Sequence, residues 1–257
     1  PGSDNWSDNR TAVIWNWKAN GAGSANTDGS INSTVSANTT AGFSIVKFTG
    51  TGANATVGHG LGTAPAFYIV KGINKVHDWR IYHQSLGATK SMEINENNVV
   101  NTTIGNWNNT EPTSSVFSLG TFSAVNESGK DYIAYCFAEK TGYSKFGSYT
   151  GNGNADGTFV YTGFKPAWVV VKSTSNAEDW NIIDNKRDPF NNGYHQLTAN
   201  GNNAENTSDT SRNNFYSNGF KLGTTNGAYN GNGYSYIYMA FAKAPLVGSN
   251  NIPCTAR

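Results

Sequence analysis

The sequence predicts an all-β protein made of two tandem homologous antiparallel β-sandwich units of jelly-roll or lectin-like type. Three observations carry that expectation: an internal repeat, short apolar runs that alternate with period two between Gly/Asn/Thr/Ser clusters, and the near absence of helical periodicity. Short strands repeated in blocks of about 100 residues fit two-layer antiparallel architectures, with a closed barrel per unit as the alternative.

Repetition justifies the strands in chain order. "FSIVKF" (43–48) begins the first block, and Phe48-Thr49-Gly50 returns as Tyr149-Thr150-Gly151. Pro65 returns as Pro166, and "AFYIVK" (66–71) as "AWVVVK" (167–172), at the same offset of 101. "VHDWRIYH" (76–83) returns as "AEDWNIID" (177–184) with its Asp-Trp pair intact. The offset then grows to 103 between "VFSLG" (116–120) and "GFKLG" (219–223), and to 104 between "YIAYCFA" (132–138) and "YIYMAFA" (236–242). The inserted residues fall between strand-like runs, where loops absorb them without shifting the inward-facing set. Trp79 and Trp180 are therefore expected as core anchors, with Asp78 and Asp179 accepting turn hydrogen bonds at the strand starts.

The repeat divides the chain into residues 43–142 and 143–257, the second block carrying a C-terminal tail. Residues 1–42 precede both. Within them "AVIWNWKA" (12–19) places Trp15 and Trp17 where Tyr135 and Phe137 stand in the first block, as the last strand of an earlier unit would. On that reading the chain continues a longer polypeptide. Residues 20–42 are rich in Gly, Ser, Thr and Asn and read as a linker, although Ile31 and Val35 share one face of an extended chain and allow an edge strand.

A chain of 257 residues is long enough to bury a core without disulfides or metals. With 36 Asn, 29 Gly and a net charge of +1, its surface is amide-rich and nearly neutral, which argues against nucleic acid as a partner. No run approaches the length of a membrane-spanning helix, so no membrane insertion is expected. Aromatic residues make up 13% and supply much of the burial. Cys136 sits in an apolar run and Cys254 near the end of the sequence, a pattern that suits neither a disulfide framework nor a Cys-type zinc site.

Little points to catalysis, and the chain is read as a binding or structural protein, not an enzyme. His59, His77, His83 and His195 lack metal-site spacing and read as surface or turn residues. "GHGLG" (58–62) lacks the Lys and the following helix of a phosphate loop. "GNGNADG" (151–157) alternates oxygen donors but lacks the distal Glu of a calcium loop, so it reads as a polar turn; no cofactor or metal is expected. Carboxylates such as Glu93, Glu96, Asp156, Asp184 and Asp188 have no spacing that marks an acid/base pair. Sugar rings stack on aromatic faces while amides take the hydroxyls, and two stretches offer that combination. They are "NWNNTEP" (106–112), with Trp107, Asn108 and Asn109, and "NNGYHQ" (191–196), with Tyr194 and His195.

Residues 16–65, "YIAYCFAEKTGYSKFGSYTGNGNADGTFVYTGFKPAWVVVK" (132–172) and the tail "APLVGSNNIPCTAR" (244–257) resemble a family of marine-phage structural proteins, over residues 15 to 257. Members often carry a concanavalin-like or laminin-G-like domain followed by such units. The resemblance implies a virion component, a tail-fibre or other host-contacting appendage protein, which together with the aromatic and amide stretches gives the expectation of host-surface or glycan adhesion. It also implies contacts with other virion proteins and a homo-oligomer, with a trimer expected by analogy to fibres. A glycan depolymerase and a purely architectural decoration protein are the competing readings.

Overall fold

The computed structural model describes residues 13–102, 105–191, 193, 195–207 and 213–243. Its two large sheets lie face to face. One holds β1 (Ser24–Asn26), β2 (Ser33–Asn38), β3 (Phe43–Thr49), β5 (Phe67–Gly72), β6 (Arg80–His83), β7 (Met92–Glu93) and β9 (Asp131–Phe137), in the spatial order β1-β2-β3-β9-β5-β6-β7. The other holds β10 (Ser144–Thr150), β12 (Pro166–Ser173), β13 (Asn181–Asp184), β14 (Gln196–Thr198) and β17 (Ser235–Ala242), in the order β10-β17-β12-β13-β14. Two small sheets cover the outer faces. They are β4 (Ala55–Gly58) with β8 (Val116–Leu119), and β11 (Phe159–Tyr161), β15 (Asn213–Tyr216) and β16 (Gly219–Leu222) in the order β11-β16-β15. Paired strands in all four sheets run antiparallel.

The two-residue side-chain period sorts the apolar residues into three cores between these four layers. On β9, Tyr132, Ala134 and Cys136 face the β4-β8 sheet, while Tyr135 and Phe137 face the other large sheet. On β17, Tyr236, Tyr238 and Ala240 face the β11-β16-β15 sheet, while Ile237, Met239 and Phe241 turn toward β9. The middle core therefore belongs to both blocks, and Phe137 and Phe241 meet there at 6.0 Å. The expectation was two tandem sandwich units. The central strands are instead apolar on both faces, which is how doubly buried strands read.

The pairing pattern repeats with the sequence. Phe43 pairs with Phe137 and Phe67 with both Phe137 and His83, while Ser144 pairs with Phe241 and Trp168 with both Phe241 and Asp184. These registers coincide at the sequence offsets of 101 and 104. Polar fastenings repeat as well. Asn126 and Asn230, both fully buried, lie in the four-residue helical turns α1 (Ser123–Asn126) and α2 (Gly227–Asn230). Asn126 donates to Ala53 O at 2.6 Å and Gly120 O at 2.9 Å, and accepts from Thr51 N at 2.8 Å. Asn230 donates to Asn154 O and Thr224 O, each at 2.9 Å, and accepts from Asn152 N at 3.0 Å. Its Nδ2 also lies 2.8 Å from Asn152 Oδ1. Beside them the Tyr132 and Tyr236 hydroxyls accept from Glu127 N and Gly231 N, each at 2.8 Å, and donate to Ser123 O and Gly227 O.

The Asp-Trp repeat has a similar explanation; both aspartates accept hydrogen bonds at the strand starts and Trp180 is a core anchor as expected, while the core role expected for Trp79 is corrected. Asp78 Oδ1 accepts from Asn95 Nδ2 at 3.0 Å, and Asn95 Oδ1 accepts from Trp79 N at 2.9 Å. Asp179, Asn200 and Trp180 form the same clasp at 2.7 and 2.8 Å. What recurs is a loop tied to a strand start through the Trp backbone. The rings diverge: Trp180 is 2% exposed and donates from Nε1 to Glu93 O at 2.9 Å, whereas Trp79 is 37% exposed.

Residues 20–42 are not a free linker. β1 and β2 extend the first large sheet, Ile31 N donates to Thr56 O at 3.0 Å, and Ile31 and Val35 enter the first outer core. Residues 13–20 form no strand, which corrects that expectation; Trp17 instead packs edge-on against Phe137, Trp168 and Phe241 at 5.8, 5.3 and 5.4 Å. Among the described residues the second block has no counterpart of the β1-β2 segment. Where Val46 pairs with Ala134 in the first block, Gly147 pairs with Tyr238 in the second. A Cβ on Gly147 would lie 2.7 Å from the Tyr238 hydroxyl, so the glycine makes room for the ring. Cys136 is buried, and Cys254 lies outside the described residues.

Two histidines expected at the surface are interior. His59 accepts from Leu61 N at 3.2 Å and its Nε2 meets Thr113 O at 3.2 Å. His83 accepts from Ser85 N at 3.1 Å through Nδ1 and reaches across the middle core to Tyr238 O at 3.2 Å through Nε2. Those contacts need a neutral ring with its proton on Nε2.

Two outcomes are expected. Trp180→Ala should lose about 3 to 5 kcal/mol of stability as a core truncation, and Trp79→Ala under about 1.5, measured by urea denaturation. Burial pushes the His83 pKa from 6.5 down to about 4, so the unfolded chain takes up that proton first. The His83 contribution is therefore complete above pH 6.5 and is lost as pH falls toward about 4, a change of about 3 kcal/mol. Denaturation at pH 7 and pH 4.5 should show a smaller acid-side loss in His83→Gln.

Candidate functional site

The predicted sugar-contacting residues do not come together. Trp107 is 1% exposed; its ring meets Tyr68 edge-on at 4.9 Å, and its Nε1 donates to Lys90 O at 3.1 Å. Neither ring face is open to a ligand, so the stacking role expected for Trp107 is corrected to a core role. Asn108 and Asn109 are exposed but sit at φ of 49° and 48°, the left-handed region that Asn tolerates better than most residues. Their turn is closed by Thr110 N donating to Trp107 O at 3.0 Å, so local backbone geometry accounts for the "WNN" signal. Tyr194 lies outside the described residues.

His195 stands elsewhere, at the rim of a cleft of about 590 Å³ lined by Val13, Arg187, His195, Leu197, Asn203 and Glu205. The cleft opens beside β14, the edge strand of the second large sheet. Arg187 organises one wall. Its Nε donates to Asp184 Oδ2 at 2.6 Å, its Nη1 to Glu205 Oε1 at 2.8 Å and its Nη2 to Ile182 O at 3.2 Å. The guanidinium also lies 5.8 Å from the Trp15 ring centre, which ties the N-terminal segment to this wall. His195 Nδ1 is 3.7 Å from the same Glu205 oxygen.

Asp184 holds the start of the loop by accepting from Lys186 N and Arg187 N, both at 3.0 Å. Burial alone would raise its carboxyl, but the hydrogen bonds and charge of Arg187 outweigh that and hold it below the ordinary carboxylate range. Asp184 is thus ionised and engaged, an anchor and not a proton donor. Arg187 is spent on its protein partners. The cleft lining brings together the imidazole of His195, the amide of Asn203, the carboxylate of Glu205 and the apolar surfaces of Val13 and Leu197.

Other motifs resolve into structure. In the 151–157 turn, Asn152 Oδ1 accepts from Asn154 N and Asn154 Oδ1 from Asp156 N, at 3.0 and 2.9 Å, so those oxygens serve their own loop. Asp156 pairs with Lys221. Among the described residues no three His, Cys, Asp or Glu side chains gather to hold a metal ion, and no helix is long and apolar enough to cross a membrane.

A family model for a domain of unknown function, DUF7483, matches residues 2–245. The chain belongs to the DUF7483 family. No curated protein and no solved structure matches it. For this DUF7483 chain the cleft residues beyond His195 had unequal signals in the sequence. Asp184 and Arg187 sit three positions apart directly after a repeated strand, a spacing that brings opposite charges together at a turn. Glu205 and Asn203 had none, because they reach the cleft through a long loop.

Arg187→Ala should cost about 3 kcal/mol, since it leaves the buried Asp184 carboxylate without its counter-charge. Glu205→Gln, at a half-exposed pair, should cost under about 1 kcal/mol. Urea midpoints of the two variants check both.

Proposed function

We propose that this protein is a tail-fibre-like structural component of a phage virion that adheres to host-surface glycan through the cleft beside β14. The observation that carries the reading is the cleft itself: about 590 Å³, with an imidazole, an amide and a carboxylate oxygen beside apolar surface, on a wall locked by Arg187. Such a mixture holds a carbohydrate by hydrogen bonds and ring contact. The nearly neutral, amide-rich composition and the resemblance to phage structural proteins support the same reading. Assembly as a homo-oligomer, a trimer by analogy to fibres, would let weak contacts add through avidity.

The test is incubation of the full chain with surface polysaccharide from candidate bacterial hosts. Retention without shortening of the polysaccharide is the expected result, and the double variant His195→Ala/Asn203→Ala should weaken it by about tenfold at unchanged melting temperature. Shortening would establish a depolymerase instead. Absence of both, with the chain located on the particle, would establish an architectural protein.

A further inference from the structure

The outermost layer of the second block carries aromatic rings on the wrong side for a core. Period two sends Val160, Phe220 and Phe215 inward, so Phe159, Tyr161 and Tyr216 point outward, and they are 45%, 64% and 41% exposed. The pairings Phe159↔Lys221, Tyr161↔Gly219 and Tyr216↔Gly219 set them on one face across three strands. Phe159 and Tyr216 lie 6.1 Å apart at 67°. A Cβ on Gly219, the residue between them, would come within 2.9 Å of Phe159 Cζ, so the glycine lets the Phe159 ring lie across β16.

The first block shows that the fold does not require these rings. Val57 pairs with Phe117 as Val160 pairs with Phe220, which places Thr56 and Gly58 where Phe159 and Tyr161 stand. There the edge is occupied: Ser30 N donates to Thr56 Oγ1 at 2.9 Å and Ser33 Oγ to Gly58 O at 3.2 Å. At the corresponding place the second block has three open rings.

The chemistry of the face selects its ligand. Its charged groups, Lys221 and the neighbouring Asp156, neutralise each other, so it offers no net charge. Three strands of three or four residues span on the order of 130 Å², far below the roughly 800 Å² per partner of a stable protein interface. We infer that the outer face of β11-β16-β15 is a stacking platform for a short stretch of neutral saccharide, separate from the cleft beside β14. The rings contact the apolar faces of the sugar.

The experiment titrates the full chain, followed by calorimetry and light scattering, with cellohexaose and dextran as neutral probes and alginate as an anionic one. Saturable binding of a neutral probe is expected. Phe159→Ala and Tyr161→Ala should each weaken it by about 3- to 10-fold without moving the melting temperature, because both side chains point away from the core. Tyr161→Phe and Tyr216→Phe keep the rings and should stay within about twofold. The cleft variant His195→Ala/Asn203→Ala should leave neutral-probe binding unchanged. Neutral binding that survives the Phe159→Ala/Tyr161→Ala double variant, binding of alginate alone, or no saturable binding of any probe overturns the inference. So does self-association that Phe159→Ala abolishes, which would assign the face to a second copy. Host polysaccharide retention lost only in the cleft variant would overturn this inference and leave the adhesion reading standing; the reverse pattern would do the opposite.

Discussion

Phe137 and Phe241 meet in the layer between the two large sheets, and behind each of them the same strand carries a second apolar row, Tyr132, Ala134 and Cys136 on β9 and Tyr236, Tyr238 and Ala240 on β17. A strand buried on both faces cannot present polar residues to either side, so each large sheet needs a cover on both. One cover is the other large sheet, and the second is the small outer sheet. Trp15 and Trp17, from a segment with no strand of its own, add aromatic surface to the shared layer. Loops and functional surfaces are left to the edges and the outermost faces.

A chain with doubly buried strands has to satisfy its polar groups inside, and it does so at repeated positions. Asn126 and Asn230 each tie two loop segments to their helical turn through one amide, and the adjoining tyrosine hydroxyls fasten the helical turns. Lys71 donates to the Lys75 and His77 carbonyls of the loop after β5, and its counterpart Lys172 to the Ser173 carbonyl at the end of β12. Lys172 is the more enclosed, and burial lowers its pKa to about 8. It also reaches Asn97 O of the first block, another tie between the halves.

The strands and their registers were legible because letter-for-letter repetition and period two both survive in the sequence. The face-to-face packing of the halves was harder to see, since a strand buried on both sides and a strand in a free sandwich share the same aromatic vocabulary; "AWVVVK", with no polar alternation, was the available clue. Trp107 misled because "NWNNT" places an interior ring beside two asparagines chosen for backbone conformation. Trp79 misled because the clasp that repeats is made by main-chain atoms, which leaves its ring free to diverge from Trp180. The rings of Phe159, Tyr161 and Tyr216 are apolar letters in strands, and only the inward direction of Val160, Phe215 and Phe220 reveals that they face out. Arg187, Glu205 and Asn203 assemble through loops, whose course no periodicity records.

The exchange of Val46 and Ala134 for Gly147 and Tyr238 accompanies a difference between the margins of the two large sheets. Near the start of the chain, the sheet margin is thickened by additional backbone, and β1 presents a further row of amides and carbonyls along which lateral growth is chemically straightforward. At β10 the Tyr238 phenol lies over Gly147, and the Gln84 side chain donates to the Phe146 carbonyl. The corresponding margins of the two large sheets therefore differ, one continued by a hairpin and the other ending at β10.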